Sequence, residues 1–186
     1  MNANTTAIIL IGYQNDYFLT DGVLHHALES TDAVQKILQG TVALINKIKD
    51  TPILVINTPI IFTETYTELI NPIGILKTIK EVGAFKSGTA GSETIAQILA
   101  FADRIINVPG KRGLNAFSNT SLDSLLQEHN IKDVVLAGVV TSICLDTTGR
   151  TALDKGYNVT VLEDCTGGRS RYARVLNSTQ LLEELN

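Results

Sequence analysis

The chain has 186 residues, 44% of them hydrophobic and 18% charged, with a net charge of −4 at pH 7. That balance fits one globular domain, 1–186, and argues against an intrinsically disordered or fibrous chain. The mild acidity leaves no basic footprint for nucleic acid, and no apolar run reaches the roughly 18 residues of a membrane span.

The opening Met1-Asn2-Ala3-Asn4 lacks the charged and apolar parts of a signal peptide. Residues 7–11 are a short continuous apolar run, the pattern of a strand buried on both faces. Over 31–50 the apolar residues Val34, Ile37, Leu38, Val42, Ile45 and Ile48 fall at helical spacing. A second buried strand follows at 53–56, then a Gly/Ser/Thr loop at 83–91, a helix at 92–101 and a third strand at 105–108. Thr120-Ser121-Leu122-Asp123 resembles a capping box opening a helix through Leu122, Leu125 and Leu126. The fourth strand is expected at 134–137, a helix at about 142–155 ending at Gly156, and the fifth strand at 159–162. Val175-Leu176 reads as part of a sixth strand and 178–185 as a last helix.

Alternating buried strands and helices predict a doubly wound α/β domain of three layers. Its mainly parallel sheet of about six strands has the expected order 3-2-1-4-5-6, with helices on both faces. Ligands in such sheets bind beyond the carboxyl ends of the strands where the order reverses, which sets Gly12 beside the turn after the fourth strand. Few residues separate Asp164 from Tyr172, whereas a parallel crossover takes about a dozen or more. The expectation is either a non-parallel segment at 173–177 or a missing helix or loop near 171–172.

The run from Val134 to Cys144 carries the chemistry: a buried strand passes through Gly138 into a helix start bearing a cysteine. A helix N-terminus favours a thiolate, and its N–H groups can hold an oxyanion. The other cysteine, Cys165, follows Glu163-Asp164 and reads as packing. Two cysteines make no disulfide framework, so reduced thiols and a cytoplasmic location are expected.

Three segments together resemble the isochorismatase-like hydrolases, a family that includes nicotinamidases and N-carbamoyl amidohydrolases. They run from Ala7 to Phe18, from Gly110 to Thr120, and from Gly138 to Cys144 followed by Thr151 to Tyr157. The resemblance covers the chain to about Thr166 and implies a site of Asp, Lys and Cys. Cys144 matches the nucleophile and Lys111 the lysine, but the position of the general-base Asp is Gly12. Family likeness also implies a cis peptide at Val139–Val140 and oxyanion donors at the N–H groups of Val140 and Cys144. Tyr13, Phe18, Phe117 and Val139 are the expected substrate-binding walls. Three readings of Gly12 stand open. A carboxylate from Asp16, Asp21 or Glu64 substitutes; Lys111 and the helix terminus suffice to hold a thiolate; or catalysis is lost.

No metal or other cofactor is expected. Nicotinamidases of the family place an Asp-x-His pair after the second strand, where this chain has Asn57-Thr58-Pro59-Ile60. Adjacent His25 and His26 are a poor pair for one ion. The resemblance therefore implies a cysteine hydrolase of the amidase type, cleaving an amide or ureido C–N bond of a small molecule. The alternative is an impaired relative serving as a small-molecule binding or interaction module. The expected partners are that small molecule and further copies of the chain in a homo-oligomer, not nucleic acid or membrane.

Overall fold

The computed structural model describes residues 1–28, 30–167 and 174–185. In chain order the elements are β1 (Thr6–Ile11), α1 (Asn15–Phe18), α2 (Thr31–Ile48), β2 (Leu54–Thr58), α3 (Gly74–Val82), α4 (Ala96–Leu99), β3 (Ile105–Asn107), α5 (Leu122–Glu128), β4 (Asp133–Gly138), α6 (Asp146–Asp154), β5 (Asn158–Thr166), β6 (Arg174–Leu176) and α7 (Ser178–Leu185). The sheet has six strands in the order β3-β2-β1-β4-β5-β6, and every pairing is parallel. This is the order expected from the alternation of buried runs.

Every residue of β1 is buried, which is why it reads as an unbroken apolar run and not as an alternating one. Its side chains divide between two cores. Ile8 and Leu10 join Val34, Ile37, Leu38, Ile45 and Ile48 of α2, together with Leu181 of α7. Ala7, Ile9 and Ile11 join Leu122 and Leu126 of α5 and Ala152 of α6. Alternate side chains of a strand point to opposite faces, so these two clusters are the two sides of a three-layer sandwich. Ser30 caps α2 by accepting from the Ala33 N–H at 3.2 Å, a contribution of about 1 kcal/mol. No helix among the described residues is long and apolar enough to cross a membrane.

Four local expectations are corrected. The helix expected over 92–101 is reduced to a 3-10 turn at Ala90–Ser92 and the single turn α4. The intervening backbone is committed elsewhere: Glu93 O accepts from Asn15 N, and Ile95 N donates to Tyr13 O, both at 3.0 Å. The capping box does not form. Thr120 Oγ1 accepts from Leu122 N at 3.3 Å, while Asp123 turns to Lys155 and to the Tyr157 hydroxyl. Helix α3 lies where no helix was expected, although Ile75, Leu76, Ile79 and the left-handed Gly83 at its end carry the signal. Finally, β6 is a parallel neighbour of β5, with Thr160 opposite Arg174. Because β5 overshoots that register by six residues, the return spans about 20 Å. The chain joining Thr166 to Arg174 reaches about 26 Å when extended, so no crossover helix is needed. The expected missing helix or loop near 171–172 lies outside the described residues.

Candidate active site

β1 and β4 are hydrogen-bonded neighbours with Ile11 opposite Gly138, and the chain leaves them in opposite directions along the sheet. The crevice at their carboxyl ends is where an open α/β sheet binds ligands. Gly138 lets the two backbones meet, since a side chain there would run into the Ile11 carbonyl. The Val139 N–H then donates to Ile11 O at 3.0 Å, and the Val139–Val140 peptide is cis, as expected.

Cys144 follows in a π-type turn, Thr141–Leu145, that leads into α6. The N–H groups of Ile143, Cys144 and Leu145 converge on the Val140 carbonyl at 3.1, 3.0 and 3.4 Å. One of the two expected oxyanion donors, the Cys144 N–H, is therefore committed within the turn. The Val140 N–H has no acceptor among the described residues. The thiol is buried in the α5/α6-side core with Phe117, Ala116 and Leu145.

Lys111 lies on the loop between β3 and α5. Its main-chain oxygen accepts from Ile61 N at 3.1 Å, which fastens the loop to the segment after β2. Farther along the loop, Ala116 N donates to Thr148 Oγ1 at 3.1 Å and Asn115 Nδ2 to Thr151 Oγ1 at 2.9 Å. Both acceptors are on α6, so one helix carries the cysteine turn at its start and holds the lysine loop along its side. Lys111 is 1% exposed, and its Nζ has no hydrogen-bond partner among the described residues. Burial lowers its affinity for a proton, and the charge of Cys144 opposes that shift.

Gly12 adopts φ +78°, a left-handed conformation that favours glycine. A Cβ at this position would stand 2.5 Å from the Val139 carbonyl oxygen. The β4 chain thus fills the space where a side chain at position 12 would begin. Asp16 is buried on α1, but its Oδ2 accepts from Phe85 N at 2.6 Å and it faces Gly91. Asp21 and Glu64 are exposed.

Of the expected walls, Phe117 shares the Cys144 core, and Val139 lies in the opposite core. Tyr13 and Phe18 form a stacked pair, 5.2 Å between centroids, within the α2-side core. The Tyr13 hydroxyl is spent on Thr41 at 2.5 Å, and burial keeps it protonated. Strand alternation would set Tyr13 on the face of Ile11, but the left-handed Gly12 breaks it and turns Tyr13 to the opposite face. Two residues of this region escaped the sequence reading. Tyr17 is buried beside Phe85, and burial and then the charges of Cys144 and Asp16 hold its hydroxyl protonated. Gln14 ties three segments together, donating to Ile60 O at 2.8 Å and Ser92 O at 2.7 Å and accepting from Ile60 N at 2.9 Å. A buried polar residue directly after a buried strand was the available signal for Gln14.

The place of the nicotinamidase metal pair is taken by Asn57, whose amide donates to Thr94 Oγ1 at 3.0 Å and Asn107 Oδ1 at 2.9 Å. Among the described residues no three His, Cys, Asp or Glu side chains come together as a metal ligand set.

A family model described as the isochorismatase domain matches residues 6–183. An uncharacterised isochorismatase family protein of Bacillus subtilis is 29% identical, covering 86% of this chain and 76% of that protein. A ureidoacrylate amidohydrolase of Caulobacter segnis is 28% identical, covering 89% of this chain and 74% of its own length. Among solved structures, N-carbamoylsarcosine amidase from Thermoplasma acidophilum superposes with a TM-score of 0.74 at 23% identity, over 96% of this chain and 97% of that one. At that identity the likeness speaks for the fold.

Proposed function

Because this chain belongs to the isochorismatase family, we propose that it is a hydrolase of small amides or ureido compounds that uses Cys144 as nucleophile. The observation that carries this reading is the buried Lys111 amine, without a hydrogen-bond partner among the described residues, on a loop that α6 holds beside the turn bearing the buried Cys144, at the switch point between β1 and β4. The Cys144 sulfur attacks the carbonyl carbon, and the Val140 N–H receives the developing oxyanion. The Cys144 N–H joins it once the turn releases the Val140 carbonyl. The amine departs, leaving a thioester that water hydrolyses. The amidohydrolase named above supports a ureido or amide substrate. The protein acts in the cytoplasm as a homo-oligomer, which light scattering on a sizing column checks.

The test compares wild type with Cys144→Ala on acetamide, N-carbamoylglycine and ureidoacrylate. Turnover by wild type that falls on the order of 10³-fold or more in the variant is the expected result. Equal turnover by the two proteins would remove Cys144 from the reaction. The second reading, a binding module, draws on Gly12, which supplies no base and whose side-chain space is filled by Val139. Calorimetric binding of these compounds without turnover would establish it instead.

A further inference from the structure

The hydrolase reading leaves the proton carrier of the Cys144 site unassigned, and the inference here rests on that reading. A buried ammonium is normally paired with a carboxylate. Lys111 Nζ has no hydrogen-bond partner among the described residues, and position 12 is glycine. Among the described residues no carboxylate acts on it. Asp16 is bonded to Phe85 N and its charge acts on Tyr17 and Tyr66. Asp164 is bonded to Ser178, and Asp21 and Glu64 face solvent. Of the residues outside those described, 168–173 contain no acidic side chain, and Glu29 is the one acidic residue.

We propose that Lys111, in its uncharged form, is the acid–base group of this site in place of a carboxylate. The Cys144 S–H proton moves to Nζ as the C–S bond forms, and the carbonyl electron pair moves onto oxygen. Nζ returns that proton to the substrate nitrogen as the C–N bond breaks and the carbonyl re-forms. Nζ next takes a proton from the water that attacks the thioester. It delivers this proton to the departing sulfur, and both groups end neutral. Burial favours the uncharged amine that the first step requires, and the groups acting on the pair are Cys144 itself and, beyond the thiol, Tyr17. Each proton uptake needs the amine to be neutral, a state an arginine at this position does not reach.

The experiment exploits leaving groups, using p-nitrophenyl acetate and p-nitroacetanilide. Both donate the same acetyl group, but only the anilide nitrogen needs a proton to depart. Lys111→Arg, whose charge still supports a Cys144 thiolate, is expected to release the first p-nitrophenolate from the ester within about tenfold of the wild-type burst rate, and to lose at least about 100-fold on anilide turnover and on hydrolysis of the thioester. Equal losses on both, or retained anilide cleavage, would overturn the proposal and leave the cysteine hydrolase standing. Wild type without Cys144-dependent cleavage of either compound would overturn the hydrolase reading, and this inference with it. Should Lys111→Arg not fold, Lys111→Ala with added methylamine takes its place. Anilide cleavage that tracks the free-base amine supports Lys111, and cleavage indifferent to the amine refutes it.

Discussion

The two cysteines differ in their surroundings far more than in their burial. Both are buried at the carboxyl edge of the sheet, Cys144 after β4 and Cys165 near the end of β5, but they belong to cores on opposite faces. Cys165 is surrounded by satisfied polar groups: Ser178 Oγ at 3.4 Å, Asp164 beside it, and the Tyr13 hydroxyl on its carbonyl oxygen. Burial, aided by the Asp164 charge, pushes its thiol up to about 11. Cys144 leads into the helix that holds the loop of Lys111, a buried amine with no hydrogen-bond partner among the described residues. A buried thiol becomes a candidate nucleophile through what its surroundings leave unsatisfied, and burial alone yields a packing residue.

The sharpest way to break this contrast is alkylation of the folded protein with iodoacetamide at pH 8, read by peptide mass mapping. Cys144 is expected to react at least on the order of 100-fold faster, because the thiolate is the reactive form. Cys165 should gain reactivity only as pH climbs toward about 11. Comparable rates at pH 8 would erase the distinction.

Gly12→Asp asks whether the Cys144 region accepts the carboxylate that the family resemblance implies at this position. A left-handed backbone and a carbonyl 2.5 Å from the new Cβ should make it less stable by about 2 kcal/mol or more, without a gain in turnover. A denaturant midpoint equal to that of wild type would mean that the Val139 chain yields readily.

Lys111→Met removes the unsatisfied group itself. It should abolish turnover yet stabilise the fold by about 1–2 kcal/mol near neutrality, since an unpartnered buried amine is gone. The sign with pH follows from linkage. The folded-state value of Lys111 lies below the ordinary 10.5, so between the two the unfolded chain binds more protons and wild-type stability rises with pH. The advantage of the variant is greatest below the lowered value and vanishes above 10.5. Chemical denaturation of both proteins across that range checks it, and a pH-independent difference would contradict the assignment.

Cys165→Ala is the smallest change. It should cost about 1 kcal/mol of stability, as loss of one small buried group does, and leave turnover within about twofold. A large loss of turnover would tie the two cysteines together functionally.

Much of the fold is legible in the chain. Strands buried on both faces betray themselves as unbroken apolar runs, and α2 and α7 by helical spacing over several turns, so the strand order followed from general rules of α/β topology. Cys144 and Lys111 were legible because each sits in a recognisable segment. The short helices were not, because residues 93–95 are held by 13–15 across the molecule and no local pattern records that.

The sequence by itself determined that a glycine stands at position 12, that a lysine and a cysteine occupy the matching segments, and that no acidic residue lies in 168–173. The local order of residues fixes such facts. Only the tertiary structure decided that Val139 fills the space beside Gly12, that Asp16 is spent on Phe85, that Tyr13 turns into the far core, and that the Lys111 amine has no hydrogen-bond partner among the described residues. Hydrogen-bond partners of buried groups are chosen among segments far apart in the chain, and packing alone settles which group is left over.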